Sequence, residues 1–360
     1  MKTIIISGLV VFIVIVVAVV LVPFFFGFEF ATIGSGASAG RGVFVSQDGG
    51  LTWKTRNIVK DSRSTLAGLS ISDFVIDLKE GNRLYVGTKS AGIWKSENSG
   101  LDWQKVIDAS GALDPAADIL KVAISKSRPE LWYVAAYQKR RGVLLKSEDG
   151  GRSFREVYFV PVERFGVFDV WIDDAAGIVY IATGQGGFLE SADGGKSWRV
   201  LKWFTDGLVR LAVEERSRAF YVLTSRGRMY KSQDRGRNWT ELTQNFNSFD
   251  RSSRNQNLVI DQRAGILYLA SDYGLIRSYD GGASWLAVPI IIPPEALPVL
   301  SVAIHPVDSN TFFISAQSQM YKTADGGTRW SIISLPPLRR VTKMVIDERD
   351  PAVMYLVSNN

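Results

Sequence analysis

An eight-residue box recurs seven times along the chain and constrains the fold more than any other feature. It begins with Ser or Thr, carries Asp or Asn at its third position and Gly at its fifth, and ends on Trp or Phe. The copies occupy residues 46–53, 96–103, 147–154, 191–198, 232–239, 278–285 and 323–330. Successive copies start about 41–51 residues apart, a period that is typical of the blades of a β-propeller.

Each position of the box has a physical reason for its residue type. Gly at the fifth position supplies the positive φ that a tight turn between strands requires. The third-position side chain accepts hydrogen bonds from the backbone amides of its own loop. The residues at this position are Asp48, Asn98, Asp149, Asp193, Asp234, Asp280 and Asp325. The aromatic residues expected to pack each hairpin onto its blade are Trp53, Trp103, Phe154, Trp198, Trp239, Trp285 and Trp330.

The strand pattern around the boxes predicts an all-β, seven-bladed propeller over residues 43–360. Alternating apolar segments fill the chain between boxes, and helical periodicity is scarce. A strand fits before the first box at 42–46, and two strands follow the last blade at 341–347 and 352–358. Joining the strands from both chain ends completes the seventh blade, with two strands from each end. This closure removes the open sheet edges that invite aggregation.

The boxes resemble the Asp-box, or bacterial neuraminidase, repeat, and the similarity covers essentially everything after residue 42. The resemblance implies that each box joins the third and fourth strands of its blade, away from the ligand-binding face, and that its role is structural. Sialidase-type and sortilin-type propellers are more distantly similar. The chain lacks the Arg-Ile-Pro-type motif of sialidases, and it has no cysteine for the cysteine-rich module of sortilins.

Segments 142–154 and 301–330 are similar to the photosystem II stability and assembly factor family. That resemblance implies a single, non-enzymatic Asp-box propeller that is exported or membrane-associated and binds membrane-protein intermediates through a basic face. We therefore expect a membrane-tethered scaffold that binds another protein and uses no cofactor. The alternative is an Asp-box propeller that binds or hydrolyses a glycan.

The loops expected on the face opposite the boxes are basic and include one apolar segment. We predict that this face attracts the acidic groups of a protein partner; ordinary solvated loops are the alternative. The candidate partner-binding residues are Lys139, Arg140, Arg141, Arg226, Arg228, Arg339, Arg340, Ile290, Ile291 and Ile292. The three isoleucines lie between Pro289 and Pro293. They either form an exposed apolar contact or pack over the channel mouth or between blades.

Alignment of the innermost strands on their apolar cores places one polar residue per blade at an equivalent position. These residues are Asp73, Lys121, Asp169, Arg210, Asn257, Ser301 and Lys343. Alternating charges in neighbouring blades favour ion pairs between blades. In the glycan-hydrolysing alternative, Asp73 and Asp169 are the catalytic residues and act as general acid and base.

Residues 1–30 are predicted to form an N-terminal transmembrane signal anchor, followed by a flexible tether over 31–42. No charged residue occurs from position 3 to position 28, and a helix of that length spans about 39 Å, more than a ~30 Å hydrocarbon core. Short anchors of this kind usually leave the N-terminus in the cytoplasm, which places the propeller on the extracytoplasmic side. A signal peptide cleaved after the small residues at 37–39 is the alternative.

Composition excludes several classes of enzyme and partner. The chain has no cysteine, so it has no disulfide, thiolate metal site or cysteine nucleophile. His305 is its only histidine, which speaks against a His-based triad or a multi-histidine zinc site. The net charge of +6 is modest for 360 residues, so no nucleic-acid partner is expected.

Overall fold

A computed structural model describes residues 40–163 and 165–359. Their 28 strands form seven four-stranded antiparallel sheets, which are the blades of a β-propeller. The predicted transmembrane anchor and most of the predicted tether lie outside the described residues. Within the described ranges, no helix is long and apolar enough to cross a membrane.

Six blades are each built from four consecutive strands. Blades 1 and 2 contain β3 (Ile71–Ile76), β4 (Leu84–Thr88), β5 (Ile93–Ser96), β6 (Gln104–Lys105), β7 (Asp118–Ile124), β8 (Trp132–Gln138), β9 (Arg141–Ser147) and β10 (Arg155–Phe159). Blades 3 and 4 contain β11 (Val167–Asp173), β12 (Ile178–Thr183), β13 (Gly187–Ser191), β14 (Arg199–Trp203), β15 (Leu208–Glu214), β16 (Ala219–Thr224), β17 (Met229–Ser232) and β18 (Thr240–Glu241). Blades 5 and 6 contain β19 (Asn257–Ile260), β20 (Leu267–Ser271), β21 (Gly274–Ser278), β22 (Leu286–Ala287), β23 (Ser301–His305), β24 (Asp308–Ala316), β25 (Gln319–Thr323) and β26 (Ser331–Ile333). Short 3₁₀-helices occur at Leu66–Gly68 and Thr243–Phe246.

The seventh blade joins the two ends of the propeller, as the sequence predicted. Its inner strands are β27 (Arg340–Ile346) and β28 (Met354–Asn359), and its outer strands are β1 (Gly42–Ser46) and β2 (Lys54–Thr55). β1 and β28 are antiparallel neighbours along the whole length of β1. Because β1 completes this blade, no strand is left unpaired where the chain ends meet.

The hydrophobic core lies between neighbouring blades, because each blade buries both of its faces. The middle strands accordingly read as almost continuous apolar runs; every residue of β4 and of β20 is buried. One cluster joins Tyr85 of blade 1 to Trp132 of blade 2, with their rings 4.5 Å apart in an edge-to-face arrangement. In outer strands such as β2 and β18, both residues are exposed.

Each box connects the third strand of its blade to the fourth. Strand pairing stops in this loop, and the polar side chains of the box accept hydrogen bonds from the loop's backbone amides instead. In the first box, the Ser46 hydroxyl donates to Asp48 Oδ1 over 2.7 Å and accepts from the Gly50 amide over 2.8 Å. Asp48 Oδ1 also accepts the Thr52 amide at 2.9 Å. Hydrogen bonds from the Thr52 side chain, the Thr52 amide and Ser46 lower the pKa of Asp48 to about 2.

The second box keeps this network by reversing one hydrogen bond. In the third box Asp149 Oδ2 accepts from the Ser153 hydroxyl, four residues on. In the second box Asn98 Nδ2 is instead the donor, and Asp102 Oδ2 accepts from it at 2.9 Å. Donor and acceptor have exchanged places, so the loop is closed in both cases.

The terminal aromatic residues of the boxes are all buried or half-buried, as expected. Trp103, Phe154 and Trp285 are buried. The six tryptophans also donate their indole N–H to a backbone carbonyl; Trp198, for example, donates to Val157 in the preceding blade over 2.8 Å. The hairpins are therefore held to the propeller by both apolar packing and hydrogen bonds.

The fifth-position glycine has a positive φ in every box, between 82° and 94°. At Gly236 a β-carbon would also lie 2.3 Å from the buried ring of Phe188, whereas at Gly50 the nearest atom would be 3.4 Å away. We predict that Gly50→Ala costs about 1 kcal/mol through backbone strain alone. Gly236→Ala should cost roughly 2–4 kcal/mol, because the ring must also move. Urea unfolding of both variants measures the difference, and equal losses would contradict this account.

The reversed hydrogen bond in the second box gives a second prediction. Asn98→Asp should destabilise the protein by roughly 1–2 kcal/mol at neutral pH, because two carboxylates then face each other in place of a charge-assisted hydrogen bond. Adding Asp102→Ser should restore stability, because the pair then matches Asp149 and Ser153. Urea unfolding of both single variants and the double variant forms the cycle, and additive effects would show that the two positions do not interact.

Candidate functional site

A central cavity of about 600 Å³ opens among the inner strands of the seven blades. All seven residues aligned from the sequence lie in its wall: Asp73, Lys121, Asp169, Arg210, Asn257, Ser301 and Lys343. In five of the inner strands a β-bulge immediately precedes this position. Bulges bend a strand and redirect its side chains, so this irregularity is part of how the ring of polar residues is formed.

Asp73 links blade 1 to both of its neighbouring blades in the cavity wall. Its Oδ1 forms an ion pair with Lys343 in blade 7, and its Oδ2 accepts the Val122 amide of blade 2 at 2.9 Å. The side chain is buried, which by itself would raise the pKa of Asp73. The charges of Lys343 and Lys121, with hydrogen bonds from Lys343 and Val122, outweigh burial and lower this pKa to about 2.

Asp169 repeats the arrangement two blades further on. Its Oδ1 lies 3.5 Å from Lys121 Nζ of blade 2, and its Oδ2 accepts the Leu211 amide of blade 4 at 3.0 Å. The charges of Asp169 and Asp73 raise the pKa of Lys121. The ion pairs between blades that the alternating charges predicted are therefore present.

These contacts disfavour acid catalysis by Asp73. A general acid must hold a proton near the working pH, so its pKa has to be raised. The pKa of Asp73 is lowered instead, and both Asp73 and Asp169 are buried with a lysine and backbone amides as partners. The contacts of both carboxylates connect neighbouring blades to one another.

Cationic side chains outnumber carboxylates in the wall of the cavity. Lys121, Arg210, Arg340 and Lys343 face Asp73 and Asp169 there. Arg210 has a neutral partner, Asn257, whose Oδ1 accepts from the guanidinium over 2.8 Å. The cavity therefore retains positive charge and is suited to an anionic group.

The basic residues predicted to bind a partner divide into two groups. Arg140 and Arg141 are paired with Glu163 at 2.9 Å and Glu156 at 2.8 Å. Arg226 and Arg228 lie 3.3 and 3.4 Å from the same carboxylate, that of Asp206. Lys139, Arg339 and Arg340 are exposed and make no ion pair among the described residues. Arg340 also lines the central cavity, which makes it the member of the set that is best placed to bind a ligand.

Of the two alternatives for the isoleucine loop, packing between blades is the one that the structure shows for two of the three side chains. Ile292 is buried and Ile290 is half-buried, both against a core cluster between blades 5 and 6. Ile291 is 55% exposed. The flanking prolines prevent a regular ladder, and the loop folds back so that alternate side chains reach the core.

Sequence reasoning missed a groove beside the cavity that contains Trp203 and Asp206. The available signal was a tryptophan outside any box, in a stretch leading to the face opposite the boxes.

His305 is half-buried, and its Nδ1 accepts the Val307 amide at 3.4 Å. Among residues 40–163 and 165–359, no three acidic or histidine side chains converge as a metal site would require.

Comparison with known proteins establishes the fold. No protein-family profile matches the chain, and no curated protein matches its sequence. A GH74 xyloglucanase from Xanthomonas campestris has a TM-score of 0.66 at 17% identity, over 85% of this chain and 52% of the enzyme. YCF48 from Cyanidioschyzon merolae has a TM-score of 0.61 at 14% identity, over 81% of this chain and 96% of YCF48. YCF48 bound to D1 peptide has a TM-score of 0.59 at 14% identity, over 81% and 93% of the two chains.

The chain spans about half the length of the GH74 structures, 52% of the Xanthomonas enzyme and 51% of the one from Niastella koreensis. It covers almost all of YCF48. At these identities the likeness shows a shared seven-bladed propeller, and the neighbours include both glycoside hydrolases and YCF48.

The ion pair of Asp73 gives a prediction with a pH dependence. Asp73→Asn should destabilise the protein by about 2–3 kcal/mol at pH 7, because Lys343 loses its partner. The pKa of Asp73 is lowered from 3.8 to about 2. The ionised carboxylate therefore contributes its full stabilisation to the free energy of unfolding above about pH 4, and this stabilisation is lost as the pH falls toward 2. The difference between native protein and variant should shrink over that range. Urea unfolding at several pH values measures it, with Asp61→Asn at an exposed carboxylate as control; a constant difference would contradict the ionised pair.

Proposed function

We propose that this chain is a non-enzymatic Asp-box propeller that binds an acidic segment of another protein at its central cavity, and that residues 1–30 tether it to a membrane. The observation that carries the proposal is the charge of the cavity. Four cations face it, whereas both of its carboxylates are already engaged in ion pairs and amide hydrogen bonds. Lys121 and Lys343 are the cations of those ion pairs. A partner protein with free carboxylates gains from the other two, Arg210 and Arg340, which make no ion pair among the described residues.

Two further observations support a protein partner. The chain covers 93% of YCF48 bound to D1 peptide, a propeller that holds a peptide. The seven boxes resemble the Asp-box repeat, and the sequences of segments 142–154 and 301–330 resemble the photosystem II stability and assembly factors, which act on membrane proteins. A role as a membrane-tethered assembly scaffold, on the extracytoplasmic side, follows from that resemblance and from the uncharged segment at 3–28.

Glycoside hydrolysis by Asp73 and Asp169 has less support. The fold is shared with GH74 enzymes, but the match covers only about half of each of those chains. In the cavity itself, the lowered pKa of Asp73 opposes the role of general acid.

The structure allows a sharp test with a matched control. The rim variant, Arg339→Glu/Arg340→Glu, reverses two exposed cations, of which Arg340 lines the cavity. The blade 2 variant, Arg140→Glu/Arg141→Glu, reverses two cations that are paired with Glu163 and Glu156. In affinity capture from gently solubilised membranes, we expect one membrane protein to be retained by the native chain and by the blade 2 variant. The rim variant should lose it, by tenfold or more in amount measured by mass spectrometry.

Salt provides the second readout of the same experiment. Exposed charges are screened within about 10 Å at 0.1 M ionic strength, so capture by the native chain should weaken as salt is raised. Equal capture by the rim variant and the native chain would refute binding at the cavity.

A further inference from the structure

Trp203 differs from the other nine tryptophans of the chain. Eight donate the indole N–H to a backbone carbonyl, and Trp171 packs against Tyr180 and Phe220. Trp203 is 53% exposed, and its indole makes no hydrogen bond, ring contact or cation contact within the described part of the chain. Since an indole normally satisfies its N–H and buries its rings, this side chain is available to a ligand.

Trp203 lies in a groove of about 450 Å³ on the face opposite the boxes, between blades 3 and 4. The loops that form the groove are tied together by backbone hydrogen bonds, from Gly184 to Gly166 and from Ser225 to Gly207, both at 2.8 Å. At Gly207 an added β-carbon would lie only 2.2 Å from the Gly184 carbonyl oxygen, so these loops touch. The groove is therefore preformed, which lowers the entropic cost of binding.

Blade 2 offers an internal comparison. Phe159 ends the fourth strand there, as Trp203 does in blade 3, and Arg141 covers its ring at 5.0 Å. Gly142 and Gly186 occupy equivalent positions in the two blades. The Gly142 carbonyl accepts the amide of the residue after Phe159, and the Gly186 carbonyl accepts the amide of the residue after Trp203. Gln185 therefore stands where blade 2 has Arg141. The repeat covers the aromatic ring with a guanidinium in blade 2 and leaves it open beside a neutral amide in blade 3.

The other groups in the groove are polar. Apart from Trp203 and Phe165, its side chains include Gln185, Ser225 and Arg226. Arg226 is held through Nε, 3.3 Å from Oδ1 of the buried Asp206, and its side chain is 75% exposed. The Arg226 guanidinium makes no hydrogen bond to Asp206 or to any other described residue, so it can donate hydrogen bonds to a ligand. Asp206 is thus a positioning residue for Arg226.

We propose that this groove binds a pyranose ring of a glycan. A pyranose has an apolar C–H face that stacks on an indole and hydroxyls around its edge that exchange hydrogen bonds with a guanidinium, an amide and a hydroxyl. An apolar peptide side chain would leave those polar groups unpaired, and a bare phosphate would not use the indole. The volume is within the range of small-molecule sites. The groove shares no lining residue with the central cavity, so this site and the proposed protein-binding function stand or fall separately.

Isothermal titration of the full chain in mild detergent tests the proposal, with cellopentaose as a neutral probe and tetragalacturonate as an acidic one. We expect at least one to bind with a dissociation constant of roughly 0.1–1 mM, typical of a shallow site. Trp203→Ala should weaken binding at least tenfold, Trp203→Phe less, and Arg226→Ala by several fold. Phe159→Ala, at the matching position of blade 2, should bind as the native chain does.

Three results would overturn the proposal. Neither sugar binds at 10 mM, or Trp203→Ala binds as tightly as the native chain, or Phe159→Ala loses as much affinity as Trp203→Ala. A loss of the captured membrane protein on Trp203→Ala, without sugar binding by the native chain, would assign the groove to the protein partner instead. Because Trp203 is exposed, its variants should keep the thermal unfolding midpoint of the native protein, which separates loss of binding from loss of fold.

Discussion

The pairing of β1 with β28 is the contact on which the rest of the propeller depends. Five residue pairs join strands from opposite ends of the described chain, and the seventh blade does not exist until they form. The ion pair between Asp73 and Lys343 lies at the same junction, between blade 1 and blade 7. Because the ring of inner strands must close before it encloses a cavity, the candidate binding site is a consequence of this closure rather than of any one blade.

The boxes stabilise the fold by a different means, which is local and repeated. In each box, one serine or threonine and one aspartate or asparagine accept hydrogen bonds from the backbone amides of the same loop. Each hairpin can therefore form independently of its neighbours. The exchange of donor and acceptor between Asn98 and Asp102 shows that the hydrogen bond is the constrained property, and that residue identity can vary around it. The box side of the propeller is thereby rigid, and the opposite face, where loops vary in length and chemistry, carries the cavity and the groove of Trp203.

Several predictions from the sequence depended on repetition, and repetition explains why they held. Seven copies of the box fix the number of blades, and the aligned inner strands brought Asp73, Lys121 and Asp169 into one cavity wall. The unique segments were less predictable. The apolar character of Ile290, Ile291 and Ile292 is plain in the sequence, but which of them face the core depends on how the loop folds over blades 5 and 6. Likewise, the sequence alone does not show that Arg140 and Arg141 are paired, because Glu163 and Glu156 come close to them only in the folded protein.

The sequence by itself determined the seven blades, their closure by both chain ends, the structure of every box and the ring of polar residues, because each of these follows from a local pattern at a regular period. The tertiary structure decided which charges remain unpaired at the cavity, and that Trp203 alone among the tryptophans is left open beside Arg226. Those properties depend on contacts between loops that differ from blade to blade, such as the loop that carries Gln185 in blade 3 where blade 2 has Arg141. Such contacts carry no periodic signal, because each joins two segments that occur only once.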